Sequence, residues 1–294
     1  MDSPWPTLVL VASYVYLVKS LGPRLMKDRQ PLPLGPVVLL HSGAQVVFSL
    51  VLLYKVSNNE RIELKQRHLT NYTRRPMDRK IIAVQHDLLN VAFFITYFCF
   101  YFQFFVHGWL FRYSLTCQPV DYSEDADATA MVQVSWWYLL VKLTAFADTL
   151  LLLLQKQTEN ITDLHVAERV LTPLLAWCGV RTVAGGHATF FATADTFVRY
   201  QNYTSWKKYL TTLQTLQHLV VFVHSAQLLV GEPTCPGVPS AIAYVLCAYS
   251  LFMLVLIYLQ VHSGRINNVP KKNTLGHFIS LLTILTRTVC FFEE

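Results

Sequence analysis

Eight apolar segments, each too long and too continuous for a soluble amphipathic helix, restrict this chain more than any other feature. They run from Trp5 to Val18, Leu34 to Tyr54, Ile81 to Leu110, Met131 to Leu154, Ile161 to Val180, Thr182 to Tyr200, Tyr209 to Val230 and Val238 to Val261. Crossing the hydrocarbon core as a helix takes about 20 apolar residues, and in lipid every backbone N–H and C=O must find its partner within the protein. The expectation is an all-α, polytopic membrane bundle of about seven transmembrane helices. Composition agrees: 53% of the 294 residues are hydrophobic and 14% charged, against about a quarter charged in soluble domains. Soluble enzymes, disordered chains and coiled coils are thereby excluded.

The charges indicate orientation. Lys and Arg number 24 against 18 Asp and Glu, a formal net charge of +6, but the bases form no single patch, which argues against nucleic acid as a partner. They sit in loops: Arg24, Lys27 and Arg29; Lys55 to Lys80; Lys207 and Lys208; Arg265, Lys271 and Lys272. The loop with Asp121, Glu124, Asp125 and Asp127 carries Arg112 as its single base, and the loop with Glu232 and Cys235 has none. The positive-inside rule places the basic loops in the cytosol and these two in the lumen. Eight full spans cannot satisfy that pattern, so the second or third segment is expected to be re-entrant or surface-lying. The N-terminus is then lumenal and the C-terminus cytosolic. The sequons at Asn71, Asn160 and Asn202 fall in cytosolic loops and are expected to stay unglycosylated. No basic n-region precedes Trp5, so no removable signal peptide is expected. Residues 1–294 read as one membrane domain with a polar, basic insertion at 55–80 and a tail at 263–294.

Ionisable residues inside a span are costly and mark candidate sites. The fourth segment holds Lys142 and Asp148, six apart and about 600° round a helix, so off one face; each needs a partner from another helix or a wet cavity. His165, Glu168 and Arg169 lie at i, i+3 and i+4 on one face of the fifth segment, and Glu168 beside Arg169 reads equally as a structural ion pair or as chemistry. Asp195 and Arg199 in the sixth segment can pair along the helix. The seventh carries Gln214, Gln217, His218 and His224. A metal held by His187, His218 and His224 lacks supporting spacing, and the six cysteines lack C-x-x-C spacing, so no metal and no cofactor is expected.

The order of these features resembles the fatty-acid elongase (ELOVL) family. Trp136-Trp137-Tyr138 followed by Lys142 and Asp148-Thr149 is similar to the family's K-x-x-E-x-x-D-T. Leu164-His165-Val166 with Pro173-Leu174-Leu175 occupies the place of the histidine box, L-H-x-x-H-H. Lys207-Lys208-Tyr209-Leu210-Thr211 with Gln214 and Gln217 matches K-K-Y-L-T-x-x-Q-x-x-Q. Gly108-Trp109-Leu110 through Cys117-Gln118-Pro119 looks like the family's lumenal loop. The departures fall on the chemistry: Glu168 and Arg169 replace two box histidines, Ala145 the acidic residue, Arg199 a further histidine, and the basic cluster shrinks to Gln155-Lys156-Gln157. Family members also lack the polar stretch from about Ser57 to Lys80.

What the resemblance implies is a decarboxylative condensation of acyl-CoA with malonyl-CoA in the endoplasmic reticulum membrane. Its site would comprise His165, Glu168, Arg169 and Arg199, with Lys142, Asp148, Lys156, Gln214, Gln217, Lys207 and Lys208 binding substrate. Partners would be membrane lipid and other elongation-cycle enzymes or a second copy. Neutral imidazole suits acyl acceptance and oxyanion donation. Arginine is no general base, and a carboxylate does not replace an imidazole as acyl acceptor. Condensation is therefore expected to be impaired. The competing readings are a non-catalytic elongase-like protein that binds acyl-CoA or partners active elongases, and an unrelated seven-span receptor or carrier. Finally, Cys117 and Cys235 lie in the two loops assigned to the lumen, where disulfides persist. A bridge between them is expected, two unpaired thiols being the alternative.

Overall fold

The computed structural model describes residues 5–32, 34–57, 94–158, 161–201, 209–230, 235 and 237–265. Expectations for the 58–80 part of the insertion, the first half of the third segment, Lys207, Lys208, the three sequons, Cys290 and residues 266–294 lie outside these. Among the described residues the secondary structure is helical, without strands.

Eight helices follow in order among the described residues. Helix α1, Trp5–Met26, is α-helical except for a π-helical stretch over Leu17–Leu21. Helix α2 is Gly35–Ser57; α3 spans 94–104 and ends in a π-helical turn, Phe105–Trp109. Then come α4, Ala126–Leu154; α5, Asp163–Thr182; α6, Thr189–Gln201; α7, Leu210–Val230; and α8, Ser240–Arg265. Four of them, α1, α4, α7 and α8 (over Ser240–His262), are long and apolar enough to cross a membrane. Their outward faces carry exposed Val9, Val132, Val223 and Val255, the surface that lipid rather than water accommodates.

Local chemistry sets the ends. Asp125 precedes α4 in extended conformation and Asp127 follows in its first turn, where a carboxylate favours the helix N-terminus. At the other end Lys156 takes φ +57°, Gln157 N–H donates to Leu152 C=O and Lys156 N–H to Leu153 C=O. That pair of bonds is the Schellman closure, whose left-handed position normally holds glycine. In α5 the Thr162 hydroxyl accepts from His165 N–H at 3.2 Å, capping the turn that holds the polar box. Pro173 stands inside the same helix.

Three apolar clusters hold the bundle. Tyr97, Phe100 and Phe104 of α3 pack with Met131, Val134 and Leu139 of α4 and Trp177 of α5. Leu171 and Leu175 of α5, Phe191 of α6, Val221 of α7 and Tyr249 and Met253 of α8 form the second. Val11, Tyr14 and Val18 of α1 meet Phe146 of α4 and Val166 and Val170 of α5 in the third. Helix α5 enters all three, so the residues on it are held at the centre. Cys117, after α3, is disulfide-bonded to Cys235, before α8, with Cα atoms 5.5 Å apart. At that end the backbone N–H of Ser123 donates to Asp121 at 2.9 Å and holds its carboxyl below the usual carboxylate range.

Candidate active site

The polar residues of α4, α5 and α6 meet in the interior as a chain of ion pairs. Lys142 of α4 donates to Asp195 Oδ2 of α6, as does the Tyr138 hydroxyl, at 2.8 Å. Asp195 Oδ1 accepts from Arg199 Nε at 3.0 Å, one turn on along α6. The same guanidinium reaches Glu168 Oε1 of α5 at 2.7 Å. Lys142 and Asp195 are almost wholly buried. Moving either charge alone into such surroundings costs several kcal/mol, which a partner with good geometry offsets. The Lys142 ammonium also sits over the rings of Tyr97 (5.5 Å) and Tyr138 (4.9 Å), and Arg199 over Tyr97 (5.9 Å), contacts that favour a cation.

A second group lies on the α1 and α2 side of α5. Asp148 Oδ1 accepts from His41 Nε2 of α2 at 2.9 Å, and Asp148 stands 3.7 Å from Arg169. His165 Nε2 is 3.1 Å from the Thr149 hydroxyl, and Gln45 lies 3.2 Å from His41. Lys142 and Asp148 thus find separate partners on other helices, as their angular separation on α4 requires. The adjacent Glu168 and Arg169 do not pair with one another. Successive residues diverge by about 100° round a helix, so Glu168 turns to Arg199 and Arg169 to Asp148.

The remaining sequence candidates are dispersed. Lys156 occupies the turn after α4, and its backbone serves the helix closure. Gln214 is half-buried on α7 and Gln217 buried one turn later. Lys207 and Lys208 lie outside the described residues. Sequence reasoning gave no role to Tyr97, Tyr138, His41 or Gln45. The last two carried a usable signal: polar residues four apart inside an otherwise apolar segment.

His187 and His224 stack with ring centroids 3.9 Å apart and 11° between planes, and His187 Nε2 donates to the His224 carbonyl at 3.1 Å. Parallel rings aim their in-plane lone pairs past one another. His218 lies instead against Tyr249. Among the described residues no group of three or more His, Cys, Asp and Glu is placed to hold a metal ion.

Beside the ion pairs opens an apolar cavity of about 130 Å³, walled by Phe104, Leu175, Trp177, Phe191, Ile242 and Leu246. Tyr138 belongs to both, its ring in the cavity wall and its hydroxyl on Asp195. A cavity of this size takes a stretch of alkyl chain rather than the whole of a long one.

A family profile described as "ELO: GNS1/SUR4 family" matches residues 1–263. The chain is 35% identical over 245 residues to a very long chain fatty acid elongase of Aedes aegypti, covering 78% of this chain and 55% of that protein. It is 31% identical over 271 residues to very long chain fatty acid elongase 7 of Drosophila melanogaster, covering 87% and 67%. With the rat protein named very long chain fatty acid elongase 7, identity is 29% over 87% of this chain and 79% of that one. The chain thus spans little more than half of the Aedes relative. A helical membrane bundle with polar residues of α4, α5 and α6 gathered in its interior accords with a match running from residue 1 to 263, and on that match the chain belongs to the GNS1/SUR4 family of ELO proteins.

Proposed function

We propose that this protein is an elongase-type protein of the endoplasmic reticulum membrane, with about seven spans, that holds a fatty acyl-CoA and condenses it with malonyl-CoA poorly. In the family reaction malonyl-CoA loses carbon dioxide, its carbanion attacks the acyl thioester, and the CoA thiolate leaves. The observation that carries the reading is the closed set of ion pairs linking Lys142, Asp195, Arg199 and Glu168. Glu168, standing at the box, and Arg199, at the following histidine position, engage one another, while Arg169 faces Asp148. One imidazole, His165, remains in the box, hydrogen-bonded to Thr149. Losing a single oxyanion donor already slows acyl chemistry about 100-fold or more. The apolar cavity meeting the network at Tyr138 supports retention of the acyl chain.

Membranes containing the protein, given radiolabelled malonyl-CoA and a long-chain acyl-CoA, test the reading. Label incorporation is expected to stay near that of membranes without it, while the purified protein binds acyl-CoA saturably. Robust turnover by the unmodified chain overturns the impairment; absence of acyl-CoA binding overturns the rest.

A further inference from the structure

Two side chains face the ion pairs without joining them. His218 of α7 is 2% exposed and Tyr249 of α8 1%. Their rings meet edge to face, centroids 5.4 Å apart at 73°. Glu168, Asp195 and Arg199 lie within electrostatic reach of both. His218 Nδ1 and the Tyr249 hydroxyl, both buried, make no hydrogen bond among the described residues. Buried donors and acceptors are almost always paired, because an unpaired one forfeits its hydration. Two of them on touching side chains are therefore placed to take a bound polar group.

The surroundings narrow what that group is. Tyr249 also packs T-shaped against Phe191, 5.4 Å between centroids, and Phe191 and Leu246 of the same cluster wall the apolar cavity. Phe191 thus stands between the pair and the apolar cavity. The cations Lys142 and Arg199 are balanced by Asp195 and Glu168, so an anionic group gains no net counter-charge there and pays its full desolvation. A neutral acceptor enters at far lower cost. A phenol and an imidazole N–H can both donate to it.

We propose that His218 and Tyr249 hold the carbonyl oxygen of an acyl thioester whose alkyl chain occupies the cavity. His218 donates from Nδ1 and Tyr249 from its hydroxyl. The assignment rests on the acyl-CoA reading above and adds to it a carbonyl-binding pair outside the histidine box. It makes the site selective for a thioester over a ligand of the same length without the carbonyl.

The test compares stearoyl-CoA with its S-octadecyl-CoA thioether, which lacks that oxygen, binding to the purified full chain in lipid nanodiscs. The wild type is expected to bind the thioester about tenfold more tightly, the scale of one buried hydrogen bond. His218→Phe abolishes the preference by weakening the thioester alone, and His218→Gln, whose amide can still donate, restores part of it. Should His218→Phe not fold, Tyr249→Phe carries the same expectation. Equal binding of the two ligands by the wild type, or equal weakening of both in the variants, overturns the carbonyl site and leaves the acyl-CoA reading standing, the two polar atoms then being satisfied by water. Binding of neither ligand by the wild type overturns both.

Discussion

Asp195 accepts from Lys142 and Tyr138 through one carboxylate oxygen and from Arg199 through the other, so a neutral replacement strips two cations of a counter-charge at once. Asp195→Leu is expected to destabilise the protein by about 3–5 kcal/mol, the usual cost of leaving a buried charge unpaired. Thermal unfolding in detergent measures it. The double variant Asp195→Leu with Lys142→Met removes the stranded ammonium as well and should recover part of the loss, Arg199 keeping Glu168; a double variant no more stable than the single one contradicts the pairing. Lys156 poses a different question, because its φ of +57° is a conformation that glycine adopts without steric penalty. Lys156→Gly should leave unfolding unchanged or raise stability by up to about 1 kcal/mol, and a clear loss would show that the side chain, not the turn, fixes this position.

At the level of the helices, Gly22 lets α1 lie against the end of α4. A Cβ there would fall 2.0 Å from a Leu153 methyl and 2.6 Å from the Leu17 carbonyl oxygen, and the backbone atom cannot move aside cheaply. Gly22→Val is expected to cost about 1–3 kcal/mol by overpacking, read as a lower unfolding temperature, while Gly179→Ala, with open space around its Cβ position, should change little. Most helix cores were legible from apolar run length, which records what lipid and packing demand of each segment. Boundaries were less so. The first segment continues to Met26 because the π-helical stretch Leu17–Leu21 carries the helix past Lys19, which pairs with Asp163 of α5. The sixth begins at Thr189 rather than Thr182, since residues 183–188 turn through Gly185 at φ +83°. Turn geometry set by a docking loop, with His187 N–H donating to Gln118 C=O at 2.9 Å, leaves no trace in hydropathy.

For the whole molecule, the Cys117–Cys235 bridge closes a separation of 118 residues and ties the loop after α3 to the start of α8. By chain entropy a loop of that length contributes up to about 4–5 kcal/mol, an upper figure because a membrane already restrains the unfolded chain. Cys117→Ser should therefore lower the unfolding temperature, and reductant should bring the wild type to the same value; insensitivity to both means the bridge does not form in the isolated protein. Four helices long and apolar enough to span a membrane, the need of Lys142 and Asp148 for partners on other helices, and the resemblance that led to the family were readable in the chain, because hydrophobic length and residue spacing are local properties. Which charge meets which was not. Glu168 and Arg169 are neighbours in sequence yet belong to different groups of ion pairs, and His41 reaches Asp148 across 107 residues. Such pairings are decided where α2, α4, α5 and α6 converge, since in a low-dielectric interior each charge takes the nearest opposite one that packing presents.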